Sequence, residues 1–85
     1  MKFVICYDIA NNKRLQKVSK FLEKRAIRVQ YSIFEMEGDK KVIKEIMKDL
    51  EALLDKEQDR IYIFQLENQE NNIKRIGKLK DLDIV

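Results

Sequence analysis

Histidine and proline are absent from this 85-residue chain, cysteine occurs once and glycine only twice. Without histidine, the usual general base and the commonest transition-metal ligand are both missing, so any chemistry falls to carboxylates, lysine, tyrosine or a hard cation. The glycines stand apart at Gly38 and Gly77, which excludes a glycine-rich phosphate loop of the P-loop or dinucleotide-binding kind. A lone Cys6 in an apolar run closes no disulfide within the chain and suits a reducing compartment as a small buried thiol. The apolar opening meets a carboxylate at Asp8, too soon for a signal peptide, and no later stretch approaches the length of a membrane span. The expectation is a cytoplasmic protein without a membrane partner.

Charge, by contrast, is plentiful. Charged residues make up 39% of the chain, but 18 basic against 15 acidic residues leave only +3, so the distribution of charge says more than its sum. The length allows a single domain over 1–85, with a core over 1–67 and a C-terminal segment over 68–85. So short a chain buries only somewhat over half of the surface its unfolded form exposes, and such a domain gains from a partner.

Residues 2–8 alternate Phe3, Ile5 and Tyr7 with Val4, Cys6 and Asp8, the pattern of a strand apolar on both faces. Asn11 and Asn12 offer a helix N-cap, and Leu15, Val18, Phe21 and Leu22 supply the helical spacing that follows, to about Arg25. The β-prone stretch from Ala26 to Glu37 is long for one strand, so a bend near Tyr31 and Ser32 is expected to divide it into Ile27–Gln30 and Ile33–Glu37. Gly38-Asp39 breaks the run, and Ile43, Ile46, Met47, Leu50, Leu53 and Leu54 mark a helix over about 40–56. Another strand is expected over Arg60–Glu67, a polar loop over Asn68–Asn72, and a short strand over Ile73–Gly77, although Ile73, Ile76, Leu79 and Leu82 also suit a helix.

This order is the α+β, ferredoxin-like βαββαβ arrangement: an antiparallel sheet with two helices on one face, plus a short C-terminal strand. Helices cover one face only, so the apolar side chains on the other face call for a second layer. A twofold homodimer packed sheet against sheet supplies it, and the C-terminal segment is positioned to add a strand to the partner's edge.

Asp8 ends the first strand, where a side chain escapes the core while the backbone stays fixed by the sheet. A lone carboxylate there more often caps a turn. A twofold axis nearby would bring two Asp8 carboxylates together, which repel unless a hard cation, magnesium or manganese, lies between them. In the first helix, Lys13, Lys17, Lys20 and Lys24 recur at steps of four, three and four, with Arg14, Arg25 and Arg28 extending the basic surface. Such ridges are commonly solvated faces, but Glu23 is the sole acid here, and a ridge of nearly one sign tracks a phosphate backbone. Gln30, Tyr31, Ser32, Phe34 and Glu35 combine hydrogen-bonding groups with rings on which a base can stack, while Phe34 also suits the core or a dimer interface.

The strings Tyr7-Asp8-Ile9, Lys13-Arg14, Lys17-Val18, Arg28-Val29-Gln30-Tyr31-Ser32-Ile33-Phe34-Glu35 and Asp59-Arg60-Ile61-Tyr62 resemble the small CRISPR-associated adaptation protein, the Cas-two family. Ala26 departs from the glycine often found there, which touches only the local turn. The resemblance implies a ferredoxin-like homodimer, a magnesium ion shared by two Asp8 carboxylates and metal-dependent endonuclease activity on RNA or DNA. It also implies a role in CRISPR adaptation with the Cas-one integrase, in which the dimer bridges integrase dimers and helps hold the DNA being inserted, a role that need not require the nuclease chemistry; the rival reading is a non-catalytic DNA-binding adaptor. In the catalytic reading Asp8 is the metal ligand, Arg14, Lys17 and Arg28 contact phosphate, Tyr7 and Ser32 orient, and Phe34 shapes the site. Lys13, Arg14, Lys17, Lys20, Lys24 and Arg28 form the nucleic-acid-binding set. A toxin-like ribonuclease is the third reading.

Overall fold

The computed structural model describes residues 1–66 and the backbone of 73–76. The element order is β1 (Lys2–Asp8), α1 (Asn12–Glu23), β2 (Ile27–Gln30), β3 (Ile33–Glu37), α2 (Lys40–Leu53), β4 (Arg60–Gln65) and β5 (Ile73–Ile76). The strands form one sheet in the order β2-β3-β1-β4-β5, every neighbouring pair antiparallel. This is the ferredoxin-like arrangement expected, widened by one edge strand.

Period-two alternation decides which side chains meet the helices. Phe3, Ile5 and Tyr7 of β1, Phe34 and Met36 of β3, and Ile61 and Ile63 of β4 are buried with Val18 and Leu22 of α1 and Ile43, Ile46 and Leu50 of α2. Ile5 stands opposite Phe34 on one side and Ile63 on the other, so the core is densest under the middle of β1. The opposite face carries Val4, Cys6, Ile33, Tyr62 and Phe64, all half-buried with no helix over them.

Both helices begin where side-chain caps occur. The Asn11 side chain accepts from the Arg14 N–H at 3.0 Å and that of Asp39 from the Val42 N–H at 2.9 Å. Replacing Asp39 by alanine orphans that donor, and the expected cost is about 1 kcal/mol, read as a lower midpoint in urea unfolding.

Several boundaries differ from the expected ones: α1, expected to about Arg25, stops at Glu23. α2 stops at Leu53 rather than near 56, because Leu54 turns extended and the Asp55 N–H leaves the helical pattern to bond Asp59 Oδ2 at 2.9 Å. β4 stops at Gln65, and Leu66 turns back to donate its N–H to the Lys2 carbonyl at 3.0 Å. β5 pairs with β4 of its own chain, from Phe64 opposite Ile73 to Ile61 opposite Ile76, so in the single chain it fills an edge of its own sheet rather than a partner's. The loop expected over 68–72 and the segment from Gly77 onward lie outside the described residues. Among the described residues no helix is long and apolar enough to cross a membrane.

Candidate functional site

The C-terminal end of β1 divides two environments. Tyr7 and Asp8 are consecutive, and strand alternation sends them to opposite faces. Asp8 emerges at the rim of the helix-free face, its side chain 72% exposed, opposite Arg60 of β4, whose Nη1 lies 3.9 Å from Asp8 Oδ2. Arg60 is itself buried.

Tyr7 is turned inward. Its ring stacks on Phe34 with centroids 6.1 Å apart, and its hydroxyl and that of Ser19 are 3.0 Å apart. Arg28 lies over the Phe34 ring at 4.8 Å and donates to Ser19 Oγ at 3.0 Å, to Glu23 Oε2 at 2.8 Å and to the Tyr31 carbonyl. The hydrogen bond to Glu23 is the largest contribution holding the Arg28 guanidinium above its ordinary range. The Ser32 carbonyl accepts the Tyr7 N–H at 3.2 Å. Tyr7, Ser32, Phe34 and Arg28 thus form one assembly on the helix side, and Asp8 is not in it.

Arg14 is committed elsewhere. Its Nε donates to Asp59 Oδ2 at 2.7 Å and its Nη2 to Oδ1 at 3.2 Å, a two-pronged pair with a carboxylate that is fully buried. Asp59 also accepts the Ala10 N–H at 2.9 Å, two residues beyond Asp8, and the Asp55 N–H at the same distance. Burial pushes the Asp59 carboxyl up, but the donors from Arg14, Ala10 and Asp55 and the guanidinium charge outweigh it and hold the carboxyl below the usual carboxylate range. Arg14 therefore ties α1 to the α2–β4 loop, and Asp59 holds the β1–α1 loop through the Ala10 N–H, in addition to whatever Arg14 offers a phosphate.

Lys13, Lys17 and Lys20 of α1 and Lys24 at its C-cap are all exposed. Since Glu23 is taken up by Arg28, the only acid of this helix does little to offset the ridge. Burial pushes the Cys6 thiol up, which disfavours a thiolate and with it thiol chemistry.

Sequence reasoning did not single out Ser19, Glu23, Asp59 or Arg60 as members of these clusters. Asp59 and Arg60 stood in a string carrying the family resemblance, which marked them without assigning them a contact. Nothing local marks Ser19, whose partners are 12 and 9 residues away.

As for a cation, among the described residues no three Cys, Asp or Glu side chains gather where they could hold a metal ion. One exposed carboxylate per chain is the donor set at the end of β1. Magnesium retains most of its waters and binds through one or two carboxylates, so the residues fit such an ion when a second copy of Asp8 completes the pair.

An antiparallel sheet with both helices on one face, an exposed carboxylate at the end of its central strand and a lysine ridge on its first helix define a ferredoxin-like α+β domain. The chain belongs to the family described as CRISPR associated protein Cas2, whose profile matches residues 1–73. It is 38% identical over 64 residues to the CRISPR-associated endoribonuclease Cas2 1 of Nitrosomonas europaea, covering 75% of this chain and 61% of that protein. It is 35% identical over 82 residues to the CRISPR-associated endoribonuclease Cas2 2 of a Synechocystis strain, covering 94% of this chain and 87% of that one. Among solved structures, Streptococcus pyogenes Cas2 matches with a TM-score of 0.72 at 28% identity, over 78% of this chain and 86% of the other. The chain thus spans less than two thirds of the length of the Nitrosomonas relative. The family and fold implied by the sequence strings are the ones found.

Proposed function

We propose that this protein is a metal-dependent endonuclease of CRISPR adaptation that acts as a homodimer on RNA or DNA phosphodiesters. The observation that carries the reading is the exposed Asp8 at the rim of an apolar sheet face that no helix covers. Packing that face on a second copy removes Val4, Cys6, Ile33, Tyr62 and Phe64 from water and brings two Asp8 carboxylates to one rim. Relatives named as endoribonucleases support the activity.

In this reading Asp8 from each subunit holds magnesium or manganese, which supplies Lewis acidity toward a phosphoryl oxygen. Lys13, Lys17 and Lys20 hold flanking phosphates, and the Arg14–Asp59 brace keeps the loop after Asp8 in place. A reducing, cytoplasmic setting suits the free Cys6. The test is cleavage of labelled RNA and DNA by the purified protein with magnesium and with EDTA. Cleavage that EDTA leaves untouched overturns the metal assignment.

A second reading has its own support: the lysine ridge lies on α1, and Tyr7, Phe34 and Arg14 have partners within the fold, so nucleic-acid binding needs none of the hydrolytic chemistry. The protein is then a non-catalytic adaptor that holds duplex DNA with the Cas-one integrase. Both readings require the ridge. Changing Lys13, Lys17 and Lys20 to glutamate is expected to weaken oligonucleotide binding at least about tenfold and to flatten its dependence on salt, because each lost phosphate contact removes close to one counterion from the slope. Anisotropy titrations at several salt concentrations measure it, and an unchanged slope takes the ridge out of both readings.

A further inference from the structure

Between α1 and the turn joining β2 to β3 lies a half-open groove of about 560 Å³, lined by Asn12, Leu15, Gln16, Ser19, Arg28 and Tyr31. It belongs with the helix-side assembly of Tyr7, Ser19 and Arg28, on the far side of the sheet from Asp8. Of the residues that line it, only Arg28 has a part in the readings above.

We propose that this groove is a subsite for one unstacked nucleobase, with the Tyr31 ring as its stacking platform. The inference rests on the nucleic-acid reading above and deepens it. Its size lies within the range of about 300–1,000 Å³ usual for small-molecule sites. Its walls carry the three features a base requires. Leu15 gives an apolar surface for a ring, while Asn12 and Gln16, one turn apart on α1, carry side-chain amides that both donate and accept along a base edge. Tyr31 is 76% exposed at the turn, so its ring is open to a ligand.

The platform is held in place. Arg28 donates to the Tyr31 carbonyl and is itself fixed by Ser19 and Glu23, so the turn carrying the ring is tied to α1 across the groove. Pre-arrangement of this kind lowers the entropy lost on binding. The lysines complete the geometry. On a 3.6-residue helix, Lys13, Lys17 and Lys20 each follow a groove residue, Asn12, Gln16 and Ser19, and so form the next row outward. A base seated in the groove leaves its phosphates beside that row. A base inside a duplex does not reach the Tyr31 face without leaving its stack, so the subsite takes an extruded or single-stranded nucleotide.

The experiment compares binding of the full chain, by fluorescence anisotropy, to a labelled single strand and to the same strand carrying abasic sites. The wild-type protein is expected to bind the base-bearing strand about 5- to 150-fold more tightly. Tyr31→Ala is expected to erase that preference without changing affinity for the abasic strand, whereas Tyr31→Phe retains it. Because the Tyr31 ring is exposed, neither variant threatens the fold. If Tyr31→Ala binds both strands as the wild type does, or weakens both alike, while the Lys13, Lys17 and Lys20 glutamate variant loses binding, the subsite is wrong and the phosphate-binding ridge stands. If the wild type binds neither strand, or the lysine variant binds as well as it does, the nucleic-acid reading falls and takes the subsite with it.

Discussion

Replacing Asp59 by alanine is expected to destabilise the fold by about 2–4 kcal/mol, since each buried donor that loses its acceptor costs about 1–3 kcal/mol. The side chain is fully buried and satisfies four donors: two from Arg14 and the backbone N–H groups of Ala10 and Asp55. Its loss leaves two backbone amides without their acceptor, strips the Arg14 guanidinium of its main partner and loosens α1 from the segment before β4. Asp59→Asn keeps the shape but offers one acceptor oxygen and a donor to groups that are themselves donors, so it is expected to destabilise as well. The wild-type pH dependence follows in sign. The folded-state carboxyl titrates below its unfolded value, so its contribution is complete above about pH 4 and disappears as the pH falls through the folded-state pKa. Urea midpoints at pH 7 and pH 3 should converge between wild type and Asp59→Asn on the acid side. A gap that stays constant with pH refutes the assignment.

Asp8→Asn is expected to reduce magnesium-dependent cleavage at least about 100-fold, since the several kcal/mol that a Lewis acid contributes corresponds to tenfold per about 1.4 kcal/mol. The substitution is nearly isosteric, at a side chain 72% exposed, and it keeps an oxygen where Oδ2 faces Arg60. Folding, self-association and oligonucleotide binding should therefore survive, and circular dichroism, sedimentation and anisotropy report each separately. A variant that cleaves as fast as wild type, still inhibited by EDTA, places the ion on other ligands. A wild-type protein that binds nucleic acid and cleaves none favours the adaptor. Because the proposed ion lies between subunits, the rate should also fall on dilution through the dimer dissociation range.

The same arrangement explains which parts of the site were legible in the chain. Asp8 could be located because strand alternation and the polar stretch after it are local signals, and the lysine ridge because helical spacing is read directly from position. Tyr7 and Phe34, expected near Asp8, instead stack on the helix side, away from that carboxylate. Consecutive positions on a strand face opposite ways, an alternation already legible in residues 2–8, whereas the grouping of Tyr7 and Phe34 with Asp8 came from the family resemblance. Arg14 looked like a cation available to phosphate because its partner, Asp59, is 45 residues away and reaches it only when α1 packs beside the segment before β4. The early end of α2 has a local origin: helical periodicity continues past Leu53, but the Asp55 N–H turns to the Asp59 side chain four residues on, a carboxylate that Arg14 and Ala10 hold in place.

The amino-acid sequence by itself determined the succession of strands and helices, the face each presents to the core, the family, and the position of the single carboxylate at the end of β1. Those properties follow from periodicity and short motifs, which act over a turn of helix or a few residues of strand. Only the tertiary structure decided that Arg14 braces Asp59, that Arg28 joins Ser19, Glu23 and the Tyr31 carbonyl, and that a groove opens beneath the Tyr31 ring. These contacts join residues whose spacing carries no period, so they come into being only when the sheet and α1 pack together.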